Sequence, residues 1–344
     1  MVTMLLLLGA IPVVWYVWER RQRKTQPMPG GIHELITLPH AEEWELYHNA
    51  FSLCSKKTRV CLAELGLPYK SHHIDLIETG AYENISRHFL QVNPAALVPV
   101  LVHNGHPIYE SHEQLAYAAQ YASQPAALVP ENKEQHNVME YWVHKSSLVG
   151  DDPLASIYET AGNAVPGLTI PIFAAMIEHI PISRIVEGLL FHRLKKRVLF
   201  FLLLKFRGVR RLPRLKPIMK ILRSSQAAMH THLDELEHAL DQSGGPWIVG
   251  EQFTLADVGM MVILERLREV DWLDEFLGER RPHVSRYWEA LQARPSYQAG
   301  VTAFTHPTVT QGAEKIVALK QTDSTFREAL VGTLSANGRI DNSR

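Results

Sequence analysis

The sequence is poor in cysteine, and its net charge is close to zero. Only two cysteines occur in 344 residues, Cys54 and Cys61, one at the start of a predicted helix and one inside it. Two cysteines are too few for a disulfide framework, so we expect free thiols in a reducing compartment. A formal net charge of −1 excludes an overall attraction to nucleic acid, and any charged partner must therefore be recognised by a local cluster.

Patterns for metal ions and nucleotide phosphates are also missing. His72-His73 and His230-x-His232 have no carboxylate or cysteine at ligand spacing, and the sequence contains no phosphate-binding glycine loop. We therefore expect no metal. The basic residues near 193–216 lack a nucleic-acid-binding motif, which makes membrane contact the better explanation for them.

Charge is absent from residues 2–18, VTMLLLLGAIPVVWYVW, which end in a Trp/Tyr cluster and are followed by Glu19 and four basic residues. A bilayer core requires about 20 apolar residues, so residues 1–24 predict a single N-terminal transmembrane helix with a basic flank. Because the positive charge follows the span, the soluble domains are expected on the cytosolic side. A cleaved signal peptide is the alternative, but a basic n-region and a small-residue cleavage site are missing.

Beyond this anchor, the sequence predicts a linker over residues 25–43 and a small α/β domain over residues 44–124. The patterns predict these elements in order: a strand at 44–47, a helix at 55–65, a strand at 69–76, a polar helical stretch that leads to Asn93-Pro94, strands at 98–102 and 107–109, and a helix at 111–121. The dipeptide Asn104-Gly105 predicts a hairpin between the last two strands. This order of elements is typical of the thioredoxin fold.

From residue 125 the pattern is helical almost throughout and predicts an all-α domain over residues 125–301. Residues 226–242 are amphipathic, with leucines along one face of the predicted helix. Thr254 and Asp257 form a capping box at the start of a later helix, which is a folding signal rather than chemistry.

Two segments of the second half are less regular. A long insertion near 150–220 is interrupted by prolines and ends in the basic and apolar residues 192–220. These residues are consistent with a membrane-surface helix attracted to anionic lipid, with a helix half buried on its own domain, or with a solvated basic face. Residues 302–344 predict a polar, loosely held tail.

Hydroxyl and thiol side chains gather where the first helix of the small domain is expected to begin. The free amides and positive dipole end of a helix stabilise a thiolate, so Cys54 is a candidate nucleophile and Ser52 a candidate donor to a bound thiolate. Three basic residues would strengthen this field: Lys56, Lys57 and Arg59. The alternative is structural, with a serine that caps the helix and Cys54 as a small buried hydrophobe.

Three segments together resemble the glutathione transferase superfamily: WELYHNAFSLCSKKTRVCLAELG, NPAALVPVLVHNGHPIYES and GEQFTLADV. The resemblance covers about residues 44–122 and 226–300. Residues 52–59 are most similar to the tetrachlorohydroquinone reductive dehalogenase branch and to zeta-class enzymes, although Leu97 stands where the zeta class usually carries glutamine. A weaker likeness, through the long insertion and the membrane anchor, is to the ganglioside-induced differentiation-associated proteins, which are anchored at the opposite end.

This resemblance implies a thioredoxin-like domain that binds glutathione as a co-substrate. Pro99 would be a cis-proline, and the backbone of Val98 would pair with the cysteinyl unit of glutathione like an added strand. Glu110 would take the γ-glutamyl ammonium group. Ser111 and the following helix N-terminus would take the γ-glutamyl carboxylate. A homodimer is also implied.

Two versions of the chemistry stay open. Ser52 resembles the serine that activates glutathione for conjugation to an apolar electrophile, whereas Cys54 resembles the cysteine that attacks a glutathionyl adduct in reductive dehalogenation or thiol transfer. Cys61 is expected in the core. The predicted function is a membrane-anchored glutathione transferase-like enzyme. The alternative is a non-catalytic membrane-bound protein that uses the fold for binding or for membrane interaction.

Overall fold

The computed structural model describes residues 2–121, 128–150 and 152–331. The N-terminal helix is followed by a small domain whose elements alternate between strand and helix. These elements are α1 Val2–Gln22, β1 Gly31–Ile32, β2 Trp44–His48, α2 Leu53–Glu64, β3 Lys70–His73, α3 Arg87–Val92, β4 Val100–His103, β5 His106–Tyr109 and α4 Ser111–Ala119.

The five strands form one mixed sheet in the order β1-β5-β4-β2-β3. β2 pairs in parallel with β3 and antiparallel with β4, and β4 and β5 form a hairpin. Asn104 and Gly105 both have positive φ, 50° and 82°, because a two-residue hairpin turn of this kind requires left-handed backbone at both positions. The predicted thioredoxin-like α/β domain is confirmed.

The sheet has one strand more than the sequence patterns predict. β1 lies in the segment that was expected to be a linker, and its two residues pair antiparallel with Ile108 and Tyr109 at the edge of β5. Leu38, in the same segment, is buried. A strand of two residues is too short to produce an alternating hydrophobic pattern, which explains why the sequence does not reveal it.

The second domain is helical, as predicted. Its helices are α5 Lys133–Ser146, α6 Ala161–Leu168, α7 Ile170–Ile177, α8 Ile182–Phe191, α9 Lys195–Arg207, α10 Lys216–Gln242, α11 Leu255–Glu269, α12 Leu273–Phe276, α13 Pro282–Gln292, α14 Pro295–Tyr297, α15 Pro307–Thr322 and α16 Ser324–Val331. The capping box at Thr254 is confirmed, and Asp257 also accepts hydrogen bonds from the Ile248 amide and the Tyr287 hydroxyl.

The prediction of a loosely held tail from residue 302 is wrong for the residues that the structure describes. α15 packs against α7, and α16 packs against α15. Ile316 and Phe326 are almost fully buried. The composition of this segment is polar on average, but its apolar residues recur every three or four positions on one helix face, and such a stripe is sufficient to pack a helix.

α1 packs against the folded part of the chain at its C-terminal end. Glu19 pairs with Arg87 of α3, whose guanidinium lies 4.0 Å from the centre of the Trp18 ring. Trp15 contacts Phe191 of α8 edge to face. In the described part of the chain, no helix combines the length and the apolar character that a membrane crossing requires, and the predicted transmembrane helix is therefore not supported.

α2 is the element that joins the two domains. The buried guanidinium of Arg59 donates to the carbonyl of Gly300 at 2.7 Å and to the carbonyl of Asn49 at 3.0 Å. The buried ammonium of Lys56 pairs with Glu269 of α11. Gly300 has no room for a side chain, since a Cβ there would lie 2.7 Å from the backbone nitrogen of Val60. α2 is thus held closely against the helical domain.

Candidate active site

The loop before α2 is built so that Ser52 both caps the helix and faces outward. Asn49 is buried, and its side-chain oxygen accepts a hydrogen bond from the Phe51 amide at 2.9 Å, which fixes the turn. Ser52 then accepts from the Ser55 amide at 3.2 Å as the N-cap of α2. Its hydroxyl proton remains available, because capping uses only the oxygen as an acceptor.

All six residues that the sequence predicted as a site line one cavity of about 480 Å³. The cavity lies between the N-terminus of α2, the loop before β4 and the start of α4, and helices of the second domain close its other side. The residues brought together are Ser52, Cys54, Val98, Pro99, Glu110 and Ser111. These residues are up to 59 positions apart in sequence, and the pairing of β2 with β4 and of β4 with β5 brings them together.

The two cysteines lie in different environments. Cys54, in the first turn of α2, is a free thiol, is partly exposed and lines the cavity. Cys61 is fully buried, and burial raises the pKa of its thiol well above the ordinary range. The prediction that Cys61 belongs to the core is confirmed, and a thiol kept protonated in this way is a poor nucleophile.

The peptide bond between Val98 and Pro99 is cis. The loop is held by Gln114, a fully buried residue of α4 that sequence analysis did not single out. Its amide nitrogen donates to the carbonyls of Pro99 and Ile108, both at 2.9 Å, and its oxygen accepts from the Thr58 hydroxyl at 2.9 Å. One side chain therefore connects the loop, the sheet and α2.

Glu110 and Ser111 lie where β5 passes into α4. Glu110 adopts a positive φ of 64°, and its exposed side chain does not cap the helix. The first amides of α4 therefore lack a side-chain acceptor from the N-cap residue, and the first residues of this helix, Ser111 and His112, line the cavity. A helix N-terminus with free amides attracts a carboxylate.

The expectation that Lys56, Lys57 and Arg59 strengthen the field at the start of α2 needs correction for two of the three. Lys56 and Arg59 are turned into the domain interface and are paired there. Lys57 is also buried, but its ammonium donates to the carbonyl of Ser146 at 2.6 Å and to its hydroxyl at 3.2 Å. Burial lowers the pKa of Lys57 to about 8, and the nearby thiol of Cys54 counteracts that shift.

Two arginines of the helical domain reach the cavity, and neither was identified from the sequence. Arg266 of α11 is buried, donates to the Phe51 carbonyl and lies 3.7 Å from the centre of the Phe51 ring. Arg197 of α9 pairs with Glu78 at the edge of the cavity. Their positions depend on tertiary packing, so no local motif marks them.

A smaller cavity of about 100 Å³ adjoins the first and shares Ser52, Val98, Glu78 and Arg197 with it. Three residues that line it each carry a buried polar atom without a hydrogen-bond partner among the residues described: Glu78 Oε2, the Tyr82 hydroxyl and Asn84 Oδ1. Buried polar groups normally have partners, so three unpaired atoms at one cavity indicate a place for hydrogen-bond donors of a ligand or of water.

A third cavity, of about 490 Å³, lies on the opposite side of α2 beneath α15. Its charged groups include Lys56, Glu265 and Glu269, and Lys56 pairs with both glutamates across the domain interface. The predicted nucleophile does not line this cavity. The cavity around Ser52 is therefore the candidate active site.

Two protein-family models match the chain. Residues 51–120 match the glutathione S-transferase N-terminal domain, and residues 222–299 match the glutathione S-transferase C-terminal domain. The residues between these two matches contain α5 to α9.

Curated relatives are similar over most of their length. Glutathione S-transferase TCHQD from Arabidopsis thaliana is 27% identical over 258 residues, which is 74% of this chain and 88% of that protein. Tetrachloro-P-hydroquinone reductive dehalogenase from Sphingobium chlorophenolicum is 26% identical over 275 residues, which is 74% of this chain and 94% of that protein.

Solved structures agree with the fold. The β-etherase LigF from Sphingobium sp. strain SYK-6 matches with a TM-score of 0.59 at 18% identity, covering 75% of this chain and 98% of that one. The E7 glutathione S-transferase of Drosophila melanogaster matches with a TM-score of 0.52 at 21% identity, covering 80% of this chain and 96% of that one.

The buried ammonium group of Lys57 should make the free energy of unfolding depend on pH. The pKa of Lys57 falls from 10.5 to about 8 in the folded protein, so the unfolded chain binds more protons between these values and stability rises with pH across that window. We expect Lys57→Met to remove of the order of 3 kcal/mol of this rise. The check is urea unfolding at pH 7 to 10.5, with exposed Lys70→Met as the control. Parallel profiles for wild type and Lys57→Met would show that Lys57 titrates normally.

Proposed function

The chain belongs to the glutathione transferase superfamily and is an enzyme of the glutathione transferase type, and we propose that its cavity at Ser52 binds glutathione and directs the thiolate at an aromatic electrophile. The observation that carries this proposal is the convergence of all six predicted site residues on one cavity at a helix N-terminus. If Ser52 served only as a helix cap, Cys54, the cis X-Pro bond and the start of α4 would have no reason to line the same cavity.

Three features of the cavity suit glutathione as the co-substrate. Val98 lies on the cavity wall just before β4 and precedes the cis bond, so its backbone is placed where a bound peptide could pair with it. The free amides at Ser111 suit the γ-glutamyl carboxylate, and the exposed Glu110 carboxylate suits the ammonium group of the same unit. The thiol would then lie near Ser52, whose hydroxyl donates to the thiolate and lowers the thiol pKa.

In the conjugation version, the glutathione thiolate attacks a ring carbon that carries a leaving group. A carbon–sulfur bond forms, the bond to the leaving group breaks, and the leaving group departs with the electron pair. Ser52 stabilises the attacking thiolate, and Cys54 takes no part in the bond changes.

In the reductive version, conjugation is only the first step. The Cys54 thiolate attacks the sulfur of the aromatic adduct, a mixed disulfide with glutathione forms, and the ring carbon takes the released electron pair and a proton. A second glutathione then attacks the mixed disulfide, which regenerates Cys54 and releases glutathione disulfide. Two glutathiones thus supply the two electrons. The position of Cys54 beside Ser52 favours this version.

The surroundings of the site indicate which electrophile would fit. Phe51, Phe173 and Leu148 give the main cavity apolar walls. The side cavity adds unpaired acceptor atoms on Glu78 and Asn84 together with the Tyr82 hydroxyl. An aromatic ring that carries hydroxyl groups would pack against the apolar walls with its ring and would donate hydrogen bonds to the unpaired acceptors with its hydroxyl groups. The names of two relatives, tetrachloro-P-hydroquinone reductive dehalogenase and 2,5-dichlorohydroquinone reductive dechlorinase, fit this class of substrate.

The competing function, a non-catalytic binding or membrane protein, has less support. A protein that uses the fold only for shape has no need of a partly exposed cysteine beside a hydroxyl group in a cavity. The expected homodimer and the expected cytosolic placement stay predictions.

The first test concerns glutathione capture. We expect Ser111→Ala to weaken glutathione binding about tenfold, because one hydrogen bond to a charged carboxylate is lost. Isothermal titration of the full chain measures the affinity, and Gln120→Ala, an exposed residue at the other end of α4 that does not line the cavity, serves as the control. Absence of binding by the wild-type protein would remove the glutathione proposal.

The second test separates the two versions of the chemistry. With a halogenated hydroquinone and glutathione, we expect wild type to release the dehalogenated ring and glutathione disulfide, whereas Cys54→Ser accumulates the glutathionyl adduct. Ser52→Ala should slow both steps and cost about 1 kcal/mol of stability, because it also removes the N-cap. Products are identified by mass spectrometry, with Cys61→Ala as the cysteine control. Normal dehalogenation by Cys54→Ser would assign conjugation as the activity.

The third test concerns the side cavity. Tyr82→Phe removes a hydroxyl that has no partner in the described structure, so it should leave the free energy of unfolding unchanged or slightly higher. We expect kcat/KM to fall about tenfold for a hydroxylated aromatic electrophile and to stay constant for its O-methylated analogue. Equal effects on the two substrates would mean that the cavity holds only water.

A further inference from the structure

The segment from Gly188 to Leu233 has an unusual charge pattern. It contains twelve basic residues and neither Asp nor Glu, although the net charge of the whole chain is −1. Two of the twelve, Arg197 and Arg210, form ion pairs within the described residues, with Glu78 and Asp323. The twelve are Arg193, Lys195, Lys196, Arg197, Lys205, Arg207, Arg210, Arg211, Arg214, Lys216, Lys220 and Arg223.

α9 is apolar on two of its sides. Val198, Phe201 and Leu204 are buried against the domain. Three further large side chains are exposed at positions four and three residues apart, which places them along one strip of the helix: Leu199, Leu203 and Phe206. Phe206 is 71% exposed. Of the alternatives for residues 192–220, the half-buried helix is therefore present. Only one of its two apolar sides is buried against the domain, and the other is exposed to solvent.

The neighbouring helix α8, which packs against α9, repeats this arrangement. Ile182, Val186 and Leu190 are exposed at intervals of four residues and so share one side of α8. We call these six exposed residues of α8 and α9 the apolar strip. A soluble domain normally covers such adjacent side chains, so the strip indicates a contact surface.

α1 extends the same surface. Its aromatic residues Trp15 and Tyr16 pack on Phe191, the last residue of α8, and Arg23 pairs with Glu187 at 2.9 Å. α1 exposes further apolar side chains before and within this contact region, namely Ile11, Val13, Val14 and Val17.

The charge pattern decides between possible occupants. A second copy of this chain would bring two faces dominated by basic residues together, because Glu187 is already paired with Arg23 and Arg184, and like charges repel. A nucleic acid would neutralise the cations but would leave the apolar strip against phosphates and water. The surface of an anionic bilayer satisfies both sets of groups, because basic side chains reach the headgroups while apolar ones enter the acyl boundary.

We propose that the apolar strip of α8 and α9, with the basic residues around it, is a peripheral binding surface for anionic lipid bilayers. The proposal does not depend on glutathione chemistry. It concerns a helix face that lies in the bilayer interface. With the expected cytosolic placement, the strip would meet the leaflet that carries anionic lipid.

The test is sedimentation of the full chain with vesicles of phosphatidylcholine alone and of phosphatidylcholine with phosphatidylserine. We expect binding to the anionic vesicles only, with a decrease at high salt. A variant with Leu199→Ser, Leu203→Ser and Phe206→Ser should bind at least about tenfold more weakly, and so should one with Lys196→Glu and Arg207→Glu. The matched control is Leu35→Ser with Tyr158→Ser, which changes exposed apolar residues elsewhere.

Three outcomes would overturn the proposal. Equal binding to neutral and anionic vesicles removes the role of the basic residues. Unchanged binding of the triple serine variant means that α1 alone accounts for association. A change of oligomeric state in that variant without vesicles, measured by sedimentation velocity, means that a second copy covers the strip. Unfolding curves equal to wild type confirm that each variant is folded.

Discussion

The attachment of α2 to the helical domain is the interaction on which the site depends. α2 carries Ser52 and Cys54 at its start, and buried cations on the same helix fix it from behind. Lys56 pairs with Glu269, and Arg59 donates to backbone carbonyls on both sides of the interface. Buried cations are costly unless paired, so these contacts define one position of α2 rather than a range of positions. The second domain is therefore part of the active site even where it supplies no reacting group.

Much of the fold could be predicted from local patterns. The hairpin at Asn104-Gly105 and the capping box at Thr254 are marked by short motifs, and each lies where the sequence indicated. Such motifs succeed because the physics behind them is local: a turn requires left-handed backbone, and a helix start requires an acceptor. The family resemblance then connected motifs that are distant in sequence.

The rest depends on contacts between distant parts of the chain. β1 has only two residues, and α15 combines a polar average with an apolar stripe, so neither gives a strong local signal. Arg197 and Arg266 reach the cavity from helices whose paths are set by packing. The directions of Lys56 and Arg59 also could not be read from spacing, because a basic residue near a helix start can face the solvent or a second domain. The sequence shows that these basic residues belong to α2, but only the fold shows on which side of α2 each side chain lies.

α9 borders two environments. Arg197, near one end of the helix, lies at the edge of the reaction cavity, and Leu199 and Phe206 lie on the outer surface. If the outer surface contacts lipid as proposed, the cavity opens close to a phase in which apolar aromatic molecules accumulate. The supply of such a substrate would then follow its partition coefficient between bilayer and water, and molecules of low aqueous solubility would reach the enzyme at the highest local concentration.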